Sequence, residues 1–317
     1  MKKKKFTQIK DKVSWHTRIR GIQVKLIGAY LIPILLILLL GAFSYFKASS
    51  AIISNYQAAM RDTIQKTSEY YALMLQEIDT ISQKYSSNAE IRKYYDGFYQ
   101  SSPADEKKVY GDLNAQIHAE NNANAQINNI IVLAPYGQGL TTTGMIFPDV
   151  YKEFVETEEG KKILNSQIGQ SFWAGYHKYI DKALVLSDGS YGISLGRAIF
   201  NNQLKPIGAL FIDVDMKAMQ TPLQTIDLPE GSYFALITPD GREITANGEN
   251  TKALFYGQDF YEQVFASSDP NGLTYLDYQG ETYLFIYSKV GESGCMLSIL
   301  IPQNVILKQA DGIKVVT

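Results

Sequence analysis

The sequence predicts an α+β protein: an N-terminal transmembrane helix, a long stalk helix, and two antiparallel-sheet modules in tandem. Three observations carry that prediction. Leu26 to Phe46 runs for 21 residues without a charge. Residues 48 to 96 then repeat apolar side chains every three or four positions, with no Pro or Gly among them. From Ile127 onward the texture changes to short apolar runs punctuated by Gly, Pro, Asn and Asp, and it does so twice.

The uncharged stretch, LIGAYLIPILLILLLGAFSYF, covers about 30 Å as a helix, the thickness of a bilayer's hydrocarbon. Pro33 and the two glycines within it are tolerated in membrane helices. Residues 1 to 25 form a basic tail, with nine Lys and Arg against Asp11 alone, and the positive-inside rule places this tail in the cytoplasm. A cleaved signal would need a shorter apolar core and a small-residue site, whereas Ser44-Tyr45-Phe46-Lys47 is bulky. Residues 26–46 therefore read as an uncleaved anchor in the cell membrane, and residues 48–317 as extracytoplasmic.

Of the 30 Lys plus Arg, ten lie at or before Lys47, and of the 32 Asp plus Glu only Asp11 does. Residues 48–317 thus carry 20 cations against 31 acids, a net of −11. So acidic a surface argues against nucleic acid as a partner, because that affinity rests on cationic side chains. The single cysteine, Cys295, allows no internal disulfide, so the exported part must stand on its hydrophobic core.

Residues 47–96 read as one stalk helix. Ile53, Tyr56, Met60, Ile64, Thr67, Tyr71, Met74, Ile78, Ile81 and Tyr85 form its stripe, and as one helix it would be about 70 Å long. Its upper half suits core packing, and its lower half suits contact with a twin chain, giving a homodimer. Asp96-Gly97 and Ser101-Ser102-Pro103-Ala104 end the helix, and a polar segment reaches Asn129.

A first module, residues 97–222, then follows. Its strands are expected at Ile127 to Leu133, Leu140 to Met145, Phe172 to Tyr179, Tyr191 to Phe200 and Ile207 to Val214, with one short helix over Val150 to Leu164. The last two strands, joined by Asn201-Asn202-Gln203-Leu204-Lys205-Pro206, form a hairpin. Residues 223–302 repeat the plan. Tyr233 to Thr238 and Arg242 to Thr245 flank Pro239-Asp240-Gly241, Phe260 to Phe265 is helical, and Leu273 to Tyr278, Glu281 to Val290 and Cys295 to Ile301 make a meander. Residues 303–317 turn helical again and lead toward a second span expected beyond Thr317, with the cytoplasmic machinery after it.

In this order the chain resembles the double Cache sensor modules, tandem and PAS-like, of bacterial methyl-accepting chemotaxis proteins and of some sensor histidine kinases. The resemblance covers residues 1–317. It is sharpest at Pro206-Ile207-Gly208-Ala209-Leu210-Phe211-Ile212-Asp213-Val214-Asp215, at Ile237-Thr238-Pro239-Asp240-Gly241-Arg242-Glu243-Ile244, and at Tyr278-Gln279-Gly280-Glu281-Thr282-Tyr283-Leu284-Phe285. It implies that the membrane-distal module holds a small ligand and the proximal one transmits the result. Amino-acid-binding members carry Arg-x-Trp-Tyr and a later Asp in a Gly-x-x-x-x-Asp strand. Trp173 and Asp213 match, while Ser171 and Ala174 stand in place of the Arg and the Tyr. A ligand carboxylate would then lack its charged clamp.

The candidate ligand-binding residues are Trp173, Tyr176, His177, Arg197 and Asp213. The resemblance gives Asp213 the role of neutralising a ligand amine; the plainer reading is a strand-end carboxylate bonded to a loop. Trp173, Tyr176 and His177 could wall a pocket or simply fill the core. Arg197 could replace the missing clamp or stand exposed in water. Asp215 suits a helix N-cap.

Gly192-Ile193-Ser194-Leu195-Gly196 spells a hydrolase nucleophile elbow, but the residues after it continue as strand and no histidine follows His177. His16, His118 and His177 are too scattered for zinc, and no phosphate loop or dinucleotide fingerprint is present, so no cofactor and no catalytic activity are expected. The expected function is ligand sensing for a transmembrane chemoreceptor, with cytoplasmic signalling partners reached only through sequence beyond this chain. A histidine kinase sensor and a membrane-anchored binding protein without signalling output stay open as alternatives.

Overall fold

The computed structural model describes residues 10–144, 146–185, 189–249 and 253–311. The chain divides into two units, Met1–Gln57 with Ile306–Thr317, and Ala58–Val305. Helix α1 spans Lys10–Ser86. In the first unit its apolar stretch leaves Leu26, Ile37, Leu40 and Phe46 between 59 and 70% exposed. An 18-residue window there has mean hydropathy 2.6 and no buried residue. A long helix that apolar, unburied in that window among the described residues, fits a single membrane span.

The second unit holds two antiparallel sheets. Before the first come α2 (Ala89–Tyr95) and α3 (Pro103–Ala123). The sheet is built from β1 (Ile127–Leu133), β2 (Leu140–Thr141), β3 (Ser171–Ala174), β4 (Tyr191–Phe200) and β5 (Pro206–Asp215), in the order β2-β1-β5-β4-β3. Helices α4 (Pro148–Phe154), α5 (Glu158–Leu164) and α6 (Lys178–Leu184) lie in sequence between β2 and β4, and α7 (Met216–Gln224) follows β5. The second sheet uses β6 (Tyr233–Ile237), β7 (Glu243–Thr245), β8 (Gly248–Glu249), β9 (Asn271–Tyr278), β10 (Glu281–Val290) and β11 (Cys295–Pro302), ordered β8-β7-β6-β11-β10-β9. Helix α8 is Asp259–Ala266, and α9 is Gln303–Asp311. In both sheets the last strand lies between the first and the penultimate one. The tandem repeat is thus one of topology, as PAS-like modules require.

Each sheet has its own core. In the first, Ile131, Leu133, Phe154, Ile163, Ile180 and Phe211 pack together. In the second, Ile237, Phe255, Tyr261, Phe285, Met296 and Leu300 do. Nine of the ten residues of β4 are buried, so both faces of the strand are covered and it reads as a continuous apolar run. The β4–β5 hairpin has Leu195 opposite Ile212, and the Asn201 side chain closes its turn by accepting from the Gln203 and Lys205 amides, both at 3.0 Å.

Five expectations change. The strand expected over Leu140 to Met145 is only Leu140–Thr141 among the described residues. The stalk helix does not run unbroken to 96, because Asn88 starts a new helix, its side chain accepting from the Glu90 and Ile91 amides at 2.9 and 3.1 Å. The polar segment before Asn129 contains the helix α3, whose buried residues are Leu113 and Ile117, too short a stripe to stand out. Val150 to Leu164 is two helices, divided where Thr157 caps α5 by accepting from the Gly160 amide. The strand expected over Phe172 to Tyr179 stops at Ala174 and turns into α6. Met145 and Ile313 to Thr317, also assigned above, lie outside the described residues.

Candidate ligand-binding site

A cavity of about 580 Å³ opens between α5, β3 and the start of α6, within the 300–1,000 Å³ usual for small-molecule sites. Pairing of Trp173 with Leu195 and of Phe172 with Gly196 sets β3 as the outer strand of the sheet, where Phe172 packs at the border of the first core and both residues help to line the space. A side chain at Gly196 would reach within 2.6 Å of Ile163, so glycine keeps this part of the floor flat. Phe172, Trp173, Tyr176 and Tyr179 supply four aromatic rings, each partly exposed. The charged side chains Glu158, Lys162 and Lys178 stand exposed around it.

His177 is the buried polar group of the wall, 1% exposed. Its Nδ1 lies 2.6 Å from Glu159 Oε1 and its Nε2 lies 3.1 Å from Asp213 Oδ1. Both ring nitrogens therefore face carboxylates, which requires both to carry protons: the ring is an imidazolium. Burial pushes its pKa down, but the hydrogen bonds and charges of Asp213 and Glu159 outweigh this and raise it to about 10. The ring also stacks on Tyr191 and meets Phe211 edge-on, at centroid distances of 5.7 and 4.8 Å. Tyr191 holds the backbone beneath it, its hydroxyl accepting from the His177 amide at 2.9 Å and donating to Asp181 at 2.8 Å.

The structure brings Trp173, Tyr176 and His177 together on the cavity wall. Asp213 is fully buried behind His177 and is not part of the lining, so the free carboxylate expected for a ligand amine is already engaged. Arg197 requires a correction. It is neither solvent-exposed nor a clamp over the cavity: it is 2% exposed, with Nε donating to Ser82 Oγ at 2.9 Å, Nη1 to the Gly169 carbonyl and Nη2 to Asp79. Ser171 donates to the same Asp79 oxygen at 2.8 Å. These bonds tie β3 and β4 to α1, which explains why a guanidinium can be buried here.

The second module closes the site from one side. Asp240 lines the cavity, accepting from the Gly175 amide at 2.6 Å and the Tyr176 amide at 3.2 Å. Arg242, 1% exposed, donates to the Gly175 carbonyl at 2.7 Å, and its guanidinium lies 4.6 Å from the Tyr176 ring and 5.3 Å from the Tyr191 ring. The Tyr176 hydroxyl donates to Glu249, which also accepts from Arg242 Nε at 3.0 Å. This capture of the backbone at Gly175 is what ends β3 early. Sequence reading took Pro239-Asp240-Gly241 as a turn within a family-like segment, with no role in the site, and did not single out Glu159. Nothing local distinguishes either from a solvated residue.

Two tandem PAS-like sheets, with a cavity in the first, are the plan of a sensory ligand-binding fold. The sequence pattern of the Cache domain matches residues 46–310, and the chain belongs to that family. Among solved structures it is similar to the extracellular domain of rpHK1S-Z16, assigned as a histidine kinase, with 13% identity, TM-score 0.58, and 80% of this chain and 97% of that one covered. It is also similar to a domain from Vibrio parahaemolyticus assigned to the sensory box/GGDEF family, at 16% identity and TM-score 0.54, over 80% of this chain and 99% of that one. The ligand-binding domain of the Pseudomonas fluorescens chemoreceptor CtaA, in complex with L-isoleucine, matches at 13% identity and TM-score 0.48, over 83% of this chain and 98% of that one. A comparison with curated protein sequences finds no match.

Proposed function

We propose that this chain is the ligand-sensing part of a transmembrane chemoreceptor, anchored by residues 26–46 with its N-terminus in the cytoplasm and its Cache modules outside. The observation that carries the reading is the first module's cavity, whose β3–α6 wall is bonded to the second module through Asp240 and Arg242. A small solute closing on that wall works directly against the hairpin that holds it. Only a difference in the solute's affinity between two packings of the wall can drive a signal. Asp79, on α1, is hydrogen-bonded to both Ser171 and Arg197, which links the strands beside the site to the helix that carries the span. Sensing on behalf of a histidine kinase is the second reading, favoured by the likeness to rpHK1S-Z16; the coding sequence following Thr317 decides between the two outputs.

Binding is tested by thermal-shift screening of the detergent-solubilised chain against amino acids, organic acids, amines, purines and sugars. A solute bound only by the native state raises the melting temperature. Trp173→Ala is expected to abolish the rise, each protein's shift being measured from its own unliganded melting temperature because loss of a mostly buried Trp also lowers stability. A hit that shifts the variant as much as the wild type would remove the cavity from the reading.

A further inference from the structure

Resting on the cavity as the sensing site, the geometry points to the chemical class of its ligand: we propose that His177 is a built-in cation occupying Asp213, so that the cavity excludes ammonium-bearing solutes and takes flat, net-neutral ones. Three observations converge on this. First, the imidazole fills the place where a ligand cation would have to sit. Its two nitrogens reach Glu159 at 2.6 Å and Asp213 at 3.1 Å, and its ring separates Asp213 from the lining. A ligand ammonium could reach Asp213 only by evicting a hydrogen-bonded imidazolium that itself stacks on Tyr191.

Second, the carboxylates at and behind the wall already hold donors. Glu159 and Asp213 share the His177 ring, and Asp240, itself exposed, is held by two backbone amides and by the Thr238 hydroxyl at 2.6 Å. Arg197, the cation that could have received a carboxylate, is spent on Asp79. The charges left over, Glu158, Lys162 and Lys178, are exposed and hydrated, and Lys162 lies 4.6 Å over the Phe172 ring. A net charge brought inside would lose its hydration without gaining a buried partner. Third, the rest of the lining is largely apolar, with Ile163, Ala174 and Gly196 beside the aromatic residues Phe172, Trp173, Tyr176 and Tyr179, a surface that suits a flat, weakly polar solute. Asp213 Oδ2 is buried without a hydrogen-bond partner among the described atoms, so removing the imidazole would expose an unneutralised carboxylate.

The experiment compares wild type with His177→Ala, both as the full chain in detergent, using ethylammonium, imidazole, L-isoleucine and benzamide as probes. Benzamide is expected to stabilise the wild type, and ethylammonium and L-isoleucine are not. In His177→Ala, ethylammonium and imidazole are expected to gain at least about tenfold in affinity as they fill the vacated cation position. Should His177→Ala fail to fold, ring-nitrogen NMR of the wild type replaces it. The His177 signals are expected to stay those of a doubly hydrogen-bonded imidazolium at saturating ethylammonium, and their loss would overturn the proposal. Equal binding of ethylammonium to both chains, or binding of L-isoleucine to the wild type that Trp173→Ala removes, would refute the ligand class while leaving the cavity as the sensing site. No response to any probe or to the broader screen would overturn both.

Discussion

Arg197 and His177 show how a charged residue earns burial in this fold. The Arg197 guanidinium, 2% exposed, bonds to Asp79, Ser82 and the Gly169 carbonyl. Arg197→Ala leaves those acceptors unmatched and is expected to lower stability by about 3 kcal/mol, read from the urea midpoint at unchanged slope. His177 makes a prediction in pH. Its pKa is raised from 6.5 to about 10 in the folded chain. Because the folded value is the higher one, its contribution to stability is complete below about pH 6.5 and is lost as pH rises toward about 10. Over that window the stability of the wild type should fall relative to His177→Gln, whose side chain does not titrate; parallel curves for the two proteins would refute the imidazolium. These two residues also mark how little of the site's electrostatics is legible in sequence. Arg197 stands on an alternating strand and Asp79 on a helix, and neither neighbourhood announces that they meet.

At the scale of elements, the decisive unit is the turn from β3 into α6. Gly175 sits against the second module so closely that an added side chain would come within 2.6 Å of both Arg242 and Thr238. Asp240 holds its amide and that of Tyr176. Asp240→Ala removes the acceptor from both, and a loss of about 1–3 kcal/mol is expected, together with hydrogen exchange that speeds up at Gly175 and Tyr176 more than within β3. Exchange unchanged at those two amides would mean that the hairpin does not hold the turn. The elements themselves were largely readable. The β4–β5 hairpin and the β9–β11 meander announce themselves through apolar runs and Gly or Asn turns. The shortening of β3 and the break at Asn88 were not readable, because a tertiary bond decides the first and a side-chain cap within an unbroken helical pattern decides the second.

For the whole molecule, the proposed homodimer and membrane orientation can be tested with one chemical handle. Cys295 is the sole cysteine and is buried, and burial pushes its thiol pKa up to about 12, so it stays inert to mild reagents. A cysteine introduced at Met60, a partly exposed position of the stripe in the lower half of the stalk, should form a crosslinked dimer in native membranes and react with an impermeant thiol reagent added outside intact cells. Ile78→Cys, at a position 0% exposed, is the silent control. A monomer at all oxidant levels would refute dimerisation through the stalk, and labelling only after lysis would refute the orientation.

The sequence by itself determined the apolar helix and the two runs of strands along the chain; the PAS-like plan was implied by the family resemblance and the strand order came with the structure. The helix and the runs are written in hydrophobic periodicity, which is local, because a span needs some twenty apolar neighbours and a strand needs only its own alternation. Only the tertiary structure decided which charges meet. Arg197 finds Asp79 across 118 positions and Gly175 finds Asp240 across 65. Burial makes a charge depend on the partner that folding delivers, and no pattern along the chain names that partner in advance.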